Sequence, residues 1–82
     1  MRQNVTVYGV GERKKGVGKK TGKAYDFTEV SIGYVSPDFN GYKCETVAID
    51  AAVIGDRSIV PGDVLDVVFH SANYKTYVDA IL

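Results

Sequence analysis

Residues 24–35 read Ala24-Tyr25-Asp26-Phe27-Thr28-Glu29-Val30-Ser31-Ile32-Gly33-Tyr34-Val35. Threonine, valine, isoleucine, tyrosine and phenylalanine dominate, as strands prefer. Side chains alternate across a strand, so Tyr25 and Phe27 share one face while Val30, Ile32 and Tyr34 take the other. A strand whose apolar face changes sides partway predicts a β-bulge near Thr28–Glu29, which lets one strand serve both sides of a curved sheet.

The same signals recur on either side. Gln3–Val10 reads as a strand, with Val5 and Val7 opposite Thr6 and Tyr8. Ser36-Pro37-Asp38 and Asn40-Gly41 form a turn region, so Ala24–Val35 and Gly41–Ile49 pair as a hairpin. Pro61-Gly62 is a central pair for a type II turn. It leads into Asp63–His70, with Leu65, Val67 and Phe69 on its core face. Ser71-Ala72-Asn73 joins that strand to Tyr74–Leu82. Between Gly41–Ile49 and Asp63–His70, Ala51–Ile54 is either one helical turn capped by Asp50 or irregular chain. Five short strands with a bulge and glycines at the bends fit an all-β fold: a five-stranded, partly open Greek-key barrel of OB type with protruding β-hairpin loops. SH3-like barrels share the strand count.

At 82 residues and 45% hydrophobic content, the chain makes one domain, residues 1–82, with a thin core. No apolar run approaches the ~20 residues of a membrane helix, and residues 1–20 hold no apolar signal-peptide core. A cytoplasmic location is the expectation. Cys44 is the single cysteine and His70 the single histidine, which cannot build a zinc site. No metal and no cofactor are expected.

Ten basic and ten acidic residues cancel overall but not along the chain. Residues 1–43 carry a net +4 and residues 44–82 a net −4. Arg13, Lys14, Lys15, Lys19, Lys20 and Lys23 fall within eleven residues that contain no acid. Glycines at Gly11, Gly16, Gly18 and Gly22 interrupt any helix there, so a flexible cationic loop is expected. Such a loop either keeps the protein soluble or contacts phosphates without reading sequence. Asp50, Asp56, Asp63, Asp66 and Asp79 leave an acidic side that would orient the molecule on a polyanion.

Catalytic motifs fail on inspection. A phosphate loop needs lysine after its second glycine, and Val17 follows Gly16; Gly18-Lys19-Lys20-Thr21 has Arg13 where the leading glycine belongs. The dinucleotide pattern beginning Gly16-Val17-Gly18 would need glycine at Thr21. His70 lies at the end of an apolar strand next to a turn, where a structural role is expected, and Cys44 reads as a small, partly buried residue. No enzyme is expected.

Six tyrosines and no tryptophan stand out in a chain with only two leucines. A tyrosine ring tolerates water and offers a flat face on which an unpaired base stacks, while nearby cations follow the phosphates. Tyr25 lies near Lys23, Tyr42 beside Lys43 and Tyr74 beside Lys75, each next to a turn. Tyr8, Tyr34 and Tyr77 are divided between that role and a rim position with the hydroxyl in water.

Lys20-Thr21-Gly22-Lys23-Ala24-Tyr25, followed by Glu29 and then Tyr34-Val35, resembles the gene V-type single-stranded DNA-binding (helix-destabilising) protein family of filamentous phages. That family carries a basic residue, Gly-Lys-Pro-Tyr, then glutamate and Tyr-Val in one long strand. The resemblance spans residues 13–82, weakly beyond the Gly-Lys-x-Tyr region. It implies an OB-type barrel that forms a two-fold dimer and coats single-stranded DNA cooperatively during replication of a phage, plasmid or conjugative element. It implies a stacking ring at Tyr25 and phosphate contacts from Lys15, Lys20 and Lys23. Tyr34 and Tyr42 match family tyrosines near the DNA, and Tyr74 the aromatic of a hairpin that also builds the dimer. Ala24 replaces the family proline, Ala80 replaces a basic residue, and the Tyr34 match requires one inserted residue after Glu29.

The leading expectation is a nonenzymatic, non-sequence-specific single-stranded DNA-binding homodimer that takes no membrane and no small-molecule substrate. The nucleic-acid-binding residues are Arg13, Lys14, Lys15, Lys19, Lys20, Lys23, Tyr25, Tyr34, Tyr42, Lys43, Tyr74 and Lys75. The dimer also follows from size, since an 82-residue barrel with few large aliphatics is marginal alone; the hairpin Leu65–Val78 is the natural arm. A cold-shock-like RNA-binding barrel is one alternative, and a barrel whose lysines dock an acidic protein is another.

Overall fold

The computed structural model describes residues 2–82. The elements are β1 (Arg2–Val17), β2 (Ala24–Val35), β3 (Tyr42–Asp50), α1 (Ala51–Ile54), β4 (Val64–Ala72) and β5 (Lys75–Ile81). All pairings are antiparallel, and the strands lie in the order β3-β2-β1-β4-β5. β1 changes partner at Thr6: Arg2–Thr6 pair with β4 and residues 6–17 with β2, so Thr6 pairs with Gly33 on one side and with Val64 on the other. The sheet coils until its edges, β3 and β5, approach within 8 Å between Cα atoms without forming a ladder. This is the partly open Greek-key barrel of OB type, with α1 between β3 and β4.

Alternation puts one apolar side of every strand inside. Val5 and Val7 of β1, Val30, Ile32 and Tyr34 of β2, Val47 and Ile49 of β3, Val67 and Phe69 of β4, and Val78 and Ile81 of β5 form the core. Val53 and Ile54 of α1 pack against it from one end. The side chain of Asp50 accepts a hydrogen bond from the Ala52 amide at 2.9 Å, so the capped helical turn is realised over irregular chain. The Val60-Pro61-Gly62-Asp63 turn closes with an Asp63 N–H to Val60 carbonyl bond of 3.2 Å and a Gly62 φ of 96°, as a type II turn requires.

Three local expectations are corrected. A bulge does fall at Thr28–Glu29, but its extra residue is on the partner strand: Gly11 and Glu12 of β1 together oppose Glu29, while β2 pairs with β3 in unbroken register from Phe27 to Val35. The extra residues sit on β1, between Val7 and Gly9 and between Val10 and Arg13. The parity switch in β2 has another cause: beyond the barrel the strand has no core to face, so Tyr25 and Phe27 keep the outer side. Second, Arg13, Lys14 and Lys15 lie on a strand, not in a loop. β1 runs to Val17 and pairs with β2 down to Ala24, leaving only residues 18–23 as the tip of a protruding ribbon. Interior glycines rule against helix but not against a two-stranded ribbon, where they admit bulges. Third, the β4–β5 connection is a two-residue turn at Asn73-Tyr74 with φ values of 52° and 63°. Tyr74 is therefore a turn residue, not the start of β5. The ribbon gives the molecule a 42 Å long axis and a radius of gyration of 13.2 Å, against about 12 Å for a compact chain of this length.

Candidate nucleic-acid interface

A groove runs between the β4–β5 hairpin and β2–β3. One stretch is lined by Tyr25, Phe27, Asp50, His70 and Tyr77. The next is lined by Lys43, Glu45, Thr46, Tyr74 and Lys75, with Tyr77 bordering both. The fold thus brings together residues from positions 25 to 77, which the sequence separates.

Tyr25 stands on the ribbon with its ring tilted against Phe27, centroids 5.8 Å apart. It faces Gly16 on the paired strand so closely that a Cβ there would lie 2.7 Å from the tyrosine hydroxyl. Glycine at position 16 is what lets the ring lie down along the ribbon. Tyr77 stacks on the His70 imidazole with centroids 5.2 Å apart and planes 21° apart. His70 Nδ1 meets both carboxylate oxygens of Asp79 at 2.8 and 2.9 Å. Asp79 is the extra residue of a bulge in β5, since Phe69 pairs with Val78 and Val68 with Ala80. Tyr74 is fully exposed at the hairpin tip.

The cations divide into two groups. Arg13 is held by Asp26, with Nε–Oδ1 at 2.6 Å, and this hydrogen-bonded guanidinium keeps the Asp26 carboxyl below the usual carboxylate range. Lys14 reaches Glu29 at 3.2 Å. Lys15, Lys19, Lys20 and Lys23 have no ion-pair partner among the described residues. Lys43 lies 5.9 Å from the Phe39 ring centroid and 3.8 Å from Glu45 Oε2. Strand alternation puts Tyr42 on the outer face of β2–β3, the face that carries Tyr25 and Phe27, and gives Lys43 the parity of Val47 and Ile49, so these neighbours in sequence do not act as a pair. Tyr42 is 61% exposed at the far end of the sheet, where it pairs with Val35.

Tyr34 is a correction. Its ring is buried with Val30 and Ile32 and packs 5.6 Å from Phe69, so it presents no face to a base. Its hydroxyl donates to Glu45 Oε2 at 2.9 Å. Burial first, and then the carboxylate partner, push the phenol up to about 12. The folded-state value exceeds the ordinary 10, so this contribution to stability is complete below pH ~10 and is lost as pH rises through about 12. Tyrosinate absorbance should show one phenol ionising late, together with alkaline unfolding. In Tyr34→Phe that late step should disappear; its persistence would refute the assignment.

Further sequence expectations shift here. Cys44 is exposed, not partly buried. Its sulfur and the Tyr8 ring both lie over Gly33, where a Cβ would sit 2.4 Å from Tyr8 Cε2. Most of the aspartates expected to repel a polyanion are occupied locally. Asp50 caps α1, Asp63 accepts from the Val60 amide, Asp66 pairs with Arg2 and Asp79 with His70. Phe27 and Tyr77 were missed as site residues. Phe27 shares parity with Tyr25, and Tyr77 shares parity with Lys75, so alternation alone could have found both.

No helix among the described residues is long and apolar enough to cross a membrane. No family model, curated protein or solved structure matches the chain.

Proposed function

We propose that this protein binds single-stranded DNA without strong sequence preference and coats it as a dimer during replication of a phage, plasmid or conjugative element, in the manner of the gene V-type family it resembles. One observation carries the reading: a ribbon bearing four unpaired lysines opens directly onto a groove lined by Tyr25, Phe27, Tyr77 and Tyr74. Phosphates would exchange their counterions for Lys15, Lys19, Lys20 and Lys23 while bases stack on the rings. A duplex hides its base faces, so binding favours the open strand and destabilises paired DNA by mass action.

Titration of tyrosine fluorescence tests this. Poly(dT) should quench strongly and duplex DNA weakly. Four lysines predict a slope of log K against log salt of about −3 per protomer, from ~0.7 for each phosphate contact on a single strand. Absence of quenching and of binding at low salt would overturn the reading and leave the lysines to an acidic protein partner.

A further inference from the structure

The groove is lined by two carboxylates beside Lys43 and Lys75: Glu29, which Lys14 holds at 3.2 Å, and Glu45. Glu45 stands on β3 between Lys43 and Val47, and its side chain is only 20% exposed. The hydroxyl of Tyr34 and the ammonium of Lys43 both address the same oxygen, Oε2, at 2.9 and 3.8 Å. Oε1 has no hydrogen-bond partner among the described residues, and no partnerless side-chain oxygen is sealed from solvent. Glu45 is therefore fixed at one oxygen and open at the other. It lines the same stretch of groove as Tyr74, Lys75 and Tyr77.

A carboxylate oxygen only accepts hydrogen bonds. A cytosine or adenine stacked in this stretch offers an exocyclic amino group, and guanine offers one beside a ring N–H. Thymine has no amino group, and its single ring N–H lies between two carbonyl oxygens that a carboxylate repels. We propose that Glu45 makes this subsite select bases bearing an amino group over thymine, so that coating carries a modest compositional bias. This rests on the single-stranded DNA reading above and adds a specificity-determining residue to it. The acidic lining has a second effect: it repels phosphate, which leaves the backbone to the rim lysines and turns the bases inward.

The test compares oligo(dC) with oligo(dT) of about eight nucleotides, within the site sizes typical of such barrels. The two pyrimidines hold ring size constant. Oligo(dC) should bind about fivefold more tightly, the factor that one additional hydrogen bond contributes after exchange with water. In Glu45→Gln, the amide oxygen can still accept from Tyr34, which puts the amide NH₂ in place of the open oxygen. Both oligonucleotides should then bind more tightly, because a negative charge is gone, and the preference should vanish or invert. The ratio of the two dissociation constants is the readout, so a general change in affinity does not mimic the effect. Equal binding of the two by the unaltered protein, or an unchanged ratio in Glu45→Gln, would overturn the inference and leave the coating function standing. Failure of both oligonucleotides to bind would overturn the coating function and this inference with it.

Discussion

Replacing Tyr25 and Tyr42 together by alanine is expected to weaken binding of single-stranded DNA by about a thousandfold. Stacking of a base on an aromatic ring contributes ~1–3 kcal/mol. Tyr25 is 44% exposed and Tyr42 61%, so both rings have a free face. They sit near opposite ends of the β2–β3 sheet, separated by about ten residues of strand or roughly 33 Å. Residues so far apart act additively, and two mid-range losses sum to about 4 kcal/mol, or three decades in affinity. Neither ring belongs to the core, so the thermal midpoint should move little. Fluorescence anisotropy with a labelled oligonucleotide, alongside thermal unfolding of the same samples, measures both. A purely electrostatic contact with an acidic partner would hardly notice the double change. Binding within a few-fold of the parent would therefore sink the stacking mechanism.

Tyr74→Gly should move stability and binding in opposite directions. Asn73 and Tyr74 form a two-residue turn with φ positive at both positions, the arrangement that ordinarily carries Asn-Gly. A residue with a Cβ sits poorly at φ 63°, and glycine relieves about 1 kcal/mol there. In a domain of this size that gain raises the melting temperature by roughly 4–8 °C. The ring it removes is fully exposed and makes no contribution to the core, so nothing offsets the gain. Affinity for single-stranded DNA should fall about tenfold with the loss of one stacking surface. A strained, solvent-facing aromatic is explained by function only if both signs appear. A less stable variant, or an equally good binder, would leave the tyrosine unexplained.

The barrel was legible because its signals are local. Alternation in Gln3–Val10 and in residues 30–35 located Val5, Val7, Val30 and Ile32, and Pro61-Gly62 and Asn40-Gly41 marked turns that formed. What failed depended on pairing. The length of β1 is set by β2 lying alongside it, and nothing in the lysine-glycine composition announces a partner strand. The ion pairs of Arg13 and Lys14 follow from that register, because Asp26 and Glu29 lie 13 and 15 residues away in sequence. Tyr34 was misassigned for a related reason. Its parity with Val30 and Ile32 pointed inward, but the family resemblance pointed toward DNA, and burial followed the parity. The groove itself was invisible, since it exists only where the β4–β5 hairpin comes to lie against β2–β3.

The ribbon divides the molecule's obligations. No residue from Tyr8 to Glu29 is buried, although this is more than a quarter of the chain. Folding is decided by the remainder, so the ribbon can lengthen, shorten or exchange its charges over generations without any repacking of the interior. Selection on reach and on grip can act there while selection on persistence acts elsewhere. Two relatives of this protein could share every buried valine and still hold very different lengths of strand.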